Sequence, residues 1–124
     1  MKFVNPLPFV RDIEASKRFY GEVLGLSVRE DHGDIVLFED GFAIHDGAAL
    51  YGAVFGRPDP KAAPYGRDNL VLYFEVPDLD AAFERLAEAV TLIHGIRQEP
   101  WGGRVFRFYD PDGHVIEVGT PRAG

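Results

Sequence analysis

Cysteine is absent from this chain of 124 residues. Its absence excludes disulfide bonds, thiolate metal ligands and cysteine nucleophiles. Three catalytic patterns are also missing: a Ser/His/Asp order, a glycine-rich phosphate loop, and a pair of carboxylates at catalytic spacing. Any chemistry must therefore come from the remaining histidines, carboxylates, arginines and aromatic side chains.

The sequence also has no apolar run approaching the roughly 20 residues that a membrane-spanning helix needs. Its formal net charge of −7 would repel phosphate backbones, and its Lys and Arg residues form no stripe. The N-terminus, Met1 to Pro6, has no long apolar stretch ending in small residues at a cleavage site. We expect a cytoplasmic protein with neither a nucleic acid nor a membrane as partner.

The most informative feature that is present is an internal repeat. The run Val10 to Ala15 (VRDIEA) recurs 66 positions later as Val76 to Ala81 (VPDLDA). Each copy follows a strand-like run and precedes an amphipathic helical run. This period is too long for a solenoid repeat and too short for two independent domains, so we predict two half-sized modules that share one core.

Both modules predict the order strand, helix, three strands, with Asp12 and Asp78 as the helix N-caps. Module one spans 1–46. It begins with a strand over 2–10, which should lie at a sheet edge because it contains Pro6 and Pro8, and it continues with a helix to about Leu24 and three short strands over 27–31, 34–39 and 42–46. Module two spans 69–120. The strands predicted there cover 70–76, 91–99, 104–109 and 114–119. Residues 47–68, with four glycines and three prolines, predict an irregular connecting loop.

Two runs carry a resemblance to a known family: Asp12 to Tyr20 (DIEASKRFY) followed by Val23 to Leu26 (VLGL), and Phe108 to Glu117 (FYDPDGHVIE). Both resemble signatures of the vicinal oxygen chelate superfamily, which includes glyoxalase I, bleomycin-resistance proteins and extradiol dioxygenases. The resemblance covers the whole chain as a single domain, 1–124. It implies an α+β fold of two βαβββ modules, whose mixed sheets curve around a cavity, and a homodimer.

Strand alternation predicts which side chains enter that cavity. If Ile116 and Val118 pack on a helix, Glu117 points into the cavity. The same argument directs further side chains there, among them Arg107, Tyr73, His45 and Asn5.

Metal-dependent members of the superfamily take ligands from the first and last strands of each module. By motif, the four positions in this chain are Asn5, His45, Val71 and Glu117. His45 and Glu117 suit a divalent metal such as Zn, Ni, Fe or Mn, whereas Val71 has no ligating atom and an amide oxygen of Asn5 is a poor ligand for zinc or nickel. Structural zinc sites use four protein ligands and catalytic ones three. We therefore expect a degenerate metal site and favour no cofactor.

Arg107 strengthens that expectation, because it is a natural ion partner for Glu117 and would occupy the carboxylate that a metal needs. The first hypothesis is a glyoxalase- or bleomycin-resistance-like protein that binds a small carboxylate- or oxygen-rich molecule through Asn5, His45, Tyr73, Arg107 and Glu117. Trp101 is followed by two glycines that permit hinge motion, and we predict that it forms a movable aromatic wall of the site, with an anchor at a subunit contact as the alternative.

The alternative hypothesis is a metal-dependent lyase, isomerase or dioxygenase that uses His45 and Glu117, with Glu117 as the candidate catalytic residue. The sequence leaves open whether the chain is an enzyme. The remaining histidines, His32, His94 and His114, are predicted to face solvent.

Overall fold

The repeat in the sequence is a repeat in the fold. A computed structural model describes residues 1–61 and 64–121 and divides the chain into two compact units, Met1–Tyr65 and Gly66–Gly124. Each unit contains a four-stranded mixed sheet with one parallel and two antiparallel pairings. The predicted α+β class and the βαβββ order are confirmed in both units.

In the first unit, the strands are β1 (Phe9–Val10), β2 (Val28–Asp31), β3 (Ile35–Phe38) and β4 (Ala43–Asp46), in the sheet order β1-β4-β3-β2. Strand β1 lies at the edge of the sheet, as predicted, and pairs in parallel with β4. It is much shorter than the predicted 2–10, because Pro6 and Pro8 have no backbone N–H to contribute to a ladder.

The first helix, α1 (Ile13–Arg18), begins where the sequence predicts, since the Asp12 carboxylate accepts a hydrogen bond from the Ala15 N–H at 3.1 Å. It continues as a π-helical turn, Phe19–Val23, and Gly25 follows with φ of 82°. Tyr20 on this turn is fully buried, and its ring lies 4.8 Å from that of Phe42.

The prediction of an irregular connecting loop is wrong for its first part. Residues Gly47–Phe55 form a helix, α2, instead of irregular structure. Asp46 caps this helix by accepting a hydrogen bond from the Ala49 N–H at 3.0 Å, and Gly56 ends it with a left-handed φ of 68°. The glycines that suggested a loop lie partly at the ends of the helix, where glycine is common, while alanine and leucine favour its interior.

In the second unit, the elements are β5 (Val71–Glu75), α3 (Leu79–Leu86), β6 (Thr91–Gln98), β7 (Arg104–Tyr109) and β8 (Val115–Gly119), in the sheet order β5-β8-β7-β6. The Asp78 carboxylate caps α3 through the Ala81 N–H at 3.1 Å, which repeats the Asp12 cap of the first unit.

Helix α3 packs on one face of this sheet, against β6 and β7. Buried apolar side chains fill the contact: Leu79, Ala82, Leu86, Phe106, Phe108, Ile116 and Val118. Because side chains alternate along a strand, Arg107 and Glu117 lie on the opposite face. Strand alternation thus separates a buried apolar face from a face that carries charged groups.

None of the described helices has both the length and the apolar character that crossing a bilayer requires. The interpretation of 1–124 as one domain around a shared cavity stays a prediction, as does the homodimer.

A close backbone approach in the second unit gives a testable prediction. The Gly66 N–H donates to the Asp112 carbonyl at 3.0 Å, and a Cβ on Gly66 would lie 1.9 Å from the carbonyl oxygen of Gly113. Gly66→Ala should therefore lower the free energy of unfolding by about 2 kcal/mol or more. Gly52→Ala, inside α2 with no atom near the added methyl, should raise it by up to about 1 kcal/mol. Urea unfolding of the two variants measures both effects, and an equal change in both would contradict the packing.

Candidate functional site

An ion pair between neighbouring strands lies at the centre of the charged face of the second unit. Arg107 on β7 is the register partner of Glu117 on β8. Both Nε and Nη2 of Arg107 lie 2.7 Å from Oε1 of Glu117, and both side chains are about 15% exposed. The predicted pairing of these two residues is confirmed, although both nitrogens contact one carboxylate oxygen.

Arg107 also contacts strand β6, on its other side, and the connection that follows β6. Its Nη1 donates to Oε1 of Glu99 at 2.8 Å and lies 3.0 Å from Nε2 of His94. Glu99 in turn accepts a hydrogen bond from Nε of Arg97 at 2.9 Å. These residues form what we call the Arg107 cluster: Arg97, Glu99, Arg107 and Glu117, with His94 alongside.

The contacts of His94 determine its tautomer. Its Nδ1 lies 2.7 Å from the Gly95 carbonyl, which can only accept a hydrogen bond, so Nδ1 carries the proton. Nε2 then accepts from Arg107, and the ring is neutral in this arrangement. The prediction that His94 faces solvent is wrong, because the ring is half-buried against Arg107. Register shifts in β6 on both sides of His94 break the simple alternation on which such a prediction depends.

The prediction for His114 is also wrong. The residue is buried, at 9% exposed, and its backbone N–H donates to Oδ1 of Asp110 at 2.8 Å. The side chain belongs to the packed turn between β7 and β8. His32 is exposed, as predicted.

A pocket of about 630 Å³ opens beside the Arg107 cluster in the second unit. Aromatic and charged side chains surround it together with backbone of the β6–β7 connection: Tyr73, Glu75, Trp101, Gly102, Gly103, Arg104, Val105, Glu117, Thr120 and Pro121. Tyr73 is the register partner of Glu117 on the other side of β8. The structure therefore brings Tyr73, Trp101 and Glu117 together, with Arg107 behind Glu117.

Two glycines shape this pocket. A Cβ on Gly103 would lie 2.8 Å from the indole nitrogen of Trp101, so any side chain there would displace the ring. A Cβ on Gly119 would lie 3.2 Å from the hydroxyl oxygen of Tyr73. The sequence suggested hinge motion for the glycines after Trp101, whereas the structure shows close packing at Gly103.

The other two predicted site residues, Asn5 and His45, lie in the first unit, and their part in a ligand site stays a prediction. Asn5 donates through Nδ2 to the carbonyl of Pro6 at 2.8 Å. Nδ1 of His45 lies 3.0 Å from the carbonyl of Asp46, which can only accept, so Nδ1 donates this hydrogen bond.

The residues at the four family positions do not fit a resident divalent metal. Val71 has no ligating atom, and Oε1 of Glu117 already accepts two hydrogen bonds from a guanidinium. A metal at Glu117 would also have to approach the fixed positive charge of Arg107. Within the described part of either unit, no three His, Asp or Glu side chains come close enough to hold an ion.

Sequence patterns did not point to Glu99 or Arg97 as site residues, and strand alternation placed Glu75 on the cavity side of its strand without assigning it a role. Glu99 lies in the connection after β6, and only the pairing of β6 with β7 brings it to Arg107. The available signal was the position of Trp101 two residues later, which already pointed to this connection.

The acid dependence of stability tests the Arg107 cluster. The guanidinium of Arg97, followed by that of Arg107, holds the pKa of Glu99 below its usual value of 4.5. A carboxyl group whose pKa is lower in the folded protein than in the unfolded chain stabilises the folded state at pH values above its unfolded-state pKa. That stabilisation is lost as the pH falls through the folded-state pKa. Below about pH 4.5, wild type should lose more unfolding free energy than Glu99→Gln.

Urea unfolding over a pH series measures this difference. Glu84→Gln, on α3, is the matched control and should keep the wild-type acid dependence. Parallel curves for wild type and Glu99→Gln would contradict the contacts of Glu99.

Comparison with known proteins agrees with the fold. The family model described as a Glyoxalase-like domain matches residues 3–123, nearly the whole chain. A solved structure of a protein of unknown function from Agrobacterium tumefaciens strain C58 is 55% identical, with a TM-score of 0.94 over 98% of this chain and 95% of that one.

Two further similar structures are of glyoxalase-type proteins. A glyoxalase-related enzyme from Fulvimarina pelagi is 26% identical, with a TM-score of 0.76 over 97% of this chain and 88% of that one. A glyoxalase/dioxygenase from Nostoc punctiforme is also 26% identical, with a TM-score of 0.68 over 98% of this chain and 92% of that one.

Proposed function

Because the chain belongs to the Glyoxalase-like domain family, within the glyoxalase, bleomycin-resistance and dioxygenase superfamily, we propose that it binds a small organic molecule in the pocket of the second unit without a divalent metal. Family membership does not select a reaction, since one scaffold hosts many chemistries. The proposal therefore depends on the site, and the ion pair between Arg107 and Glu117 is the observation that carries it.

The ion pair supports a metal-free site for an energetic reason. A metal ion bound through the other carboxylate oxygen of Glu117 would lie beside the Arg107 guanidinium, whose Nε and Nη2 are both 2.7 Å from Oε1. Charge-assisted hydrogen bonds of this kind are stronger than neutral ones, and the pair is only about 15% exposed, which limits competition from water. Two cations beside one partly buried carboxylate repel each other, so the ion pair disfavours a divalent metal at Glu117.

The dimensions and lining of the pocket support a small organic ligand. Its volume of about 630 Å³ falls in the range of pockets that hold such molecules, roughly 300–1,000 Å³. Tyr73 and Trp101 expose about half of their surface and offer apolar area to a ligand. Glu75, Glu117 and the hydroxyl of Thr120 add polar groups that can fix its orientation.

Quenching of Trp101, the single tryptophan, tests the proposal. We expect saturable quenching by some members of a panel of carboxylates, aromatic compounds and peptide antibiotics. Glu117→Gln should weaken the binding of a ligand that quenches Trp101 about tenfold, because it changes a polar group of the pocket and removes the partner that holds Arg107 in place. No saturable quenching, or equal affinity in wild type and Glu117→Gln, would contradict the proposal.

Gly103→Ala gives a second test of the same pocket. The added methyl should displace the indole of Trp101, shift its emission and weaken the same ligand. Gly52→Ala is the matched control, because nothing lies within 4 Å of its added methyl. Unchanged emission in Gly103→Ala would show that Trp101 does not form this wall.

A further inference from the structure

The charge balance of the pocket identifies the kind of ligand it can take. Three charged side chains line it: Glu75, Arg104 and Glu117. Two of them already have partners of opposite charge. Arg104 directs both Nη atoms at the Asp80 carboxylate, at 3.1 and 3.3 Å.

Glu117 is balanced within the Arg107 cluster. Arg107 bonds to Glu117 and Glu99, and Glu99 bonds to Arg97, so two cations face two carboxylates while His94 is neutral. Arg107 has therefore little remaining capacity for a carboxylate of a ligand. This result argues against the ligand carboxylate that the sequence analysis expected Arg107 to bind.

Glu75 is different. Its Oε2 accepts a hydrogen bond from the hydroxyl of Tyr73 at 3.1 Å, but no Lys, Arg or His of the described residues lies within ion-pair distance of it. A tyrosine hydroxyl is a neutral donor and leaves the negative charge in place. Glu75 lies two residues from Tyr73 on β5, about 7 Å along the same face, so its charge belongs to the same wall as Glu117.

The aromatic groups favour the same ligand charge. Trp101 is 56% exposed and Tyr73 is 48% exposed, and the face of an aromatic ring attracts cations through its quadrupole, most strongly for tryptophan. Gly103 fixes the position of the indole, because any side chain there would overlap it. One unbalanced carboxylate and two exposed rings thus surround the same space.

We propose that the ligand of this pocket is an organic cation: a protonated amine or amidine nitrogen attached to an apolar or aromatic group. The nitrogen lies between the Glu75 carboxylate and the aromatic rings and donates to Oε2 of Glu117, which accepts no hydrogen bond from the described residues. The apolar group packs on Trp101. This inference rests on the proposed function, because it assigns the ligand class of the same metal-free pocket.

Three probes of nearly equal size and different charge test the inference: 2-phenylethylamine, 2-phenylethanol and 3-phenylpropionate. Their affinities for wild type are measured at neutral pH by Trp101 fluorescence and by calorimetry. We expect the amine to bind about five- to tenfold more tightly than the alcohol, and the carboxylate to bind most weakly. Raising the salt concentration should reduce the advantage of the amine, since the charges are partly exposed.

Glu75→Gln tests the assigned charge, with Glu84→Gln on α3 as the control that changes net charge equally outside the pocket. The preference for the amine over the alcohol should disappear in Glu75→Gln and persist in Glu84→Gln. Trp101→Leu, measured by calorimetry, should weaken the phenyl amine more than it weakens butylamine.

The outcomes separate this inference from the proposed function. If the alcohol or the carboxylate binds as tightly as the amine, with affinity that depends on Trp101, the pocket still binds small molecules and the cation assignment is wrong. If the preference for the amine survives Glu75→Gln, the assignment is also wrong. If none of the three probes binds at millimolar concentration, the inference is contradicted, and the proposed function is contradicted only if the panel of carboxylates, aromatic compounds and peptide antibiotics also fails to quench Trp101.

Discussion

The contact between the Arg107 guanidinium and the Glu117 carboxylate determines what the charged face of the second sheet can do. It joins the central strands β7 and β8, and it extends through Glu99 to the connection that carries Trp101. A partly buried ion pair keeps its geometry only where other hydrogen bonds satisfy the remaining donors of the cation. Here Glu99 and His94 accept those hydrogen bonds from Arg107. The same cluster therefore occupies the candidate metal ligand and fixes one side of the pocket.

This arrangement shows how a scaffold associated with metal chemistry can hold a site of another kind. In this chain a valine stands at one of the positions where the resemblance implies a ligand, and an arginine on a neighbouring strand pairs with the carboxylate at another. The pocket beside this face of the sheet keeps two exposed aromatic rings, Tyr73 and Trp101. The charge at this site differs from that of a metal site, because the positive charge beside Glu117 comes from Arg107 and is balanced by carboxylates within the Arg107 cluster.

Much of the fold could be predicted from the sequence, because local patterns determined it. Asp12 and Asp78 cap equivalent helices, and strand alternation placed Arg107 and Glu117 on one face. The errors arose where local patterns compete or fail. The glycines near α2 obscured a helix that Asp46 caps, and the register shifts in β6 brought His94 to Arg107. Glu99 was missed because it lies in the connection after β6, where strand alternation does not predict side-chain direction, and only the pairing of β6 with β7 brings it to Arg107.

The metal content of untagged protein tests the central claim most directly. If Arg107 holds Glu117 as the structure shows, protein purified without chelators should contain no stoichiometric nickel, zinc, iron or manganese by elemental analysis, and Glu117→Ala should not change that content. A stoichiometric metal in wild type that is lost in Glu117→Ala would contradict the account, because it would show that Glu117 serves as a ligand and not as the partner of Arg107.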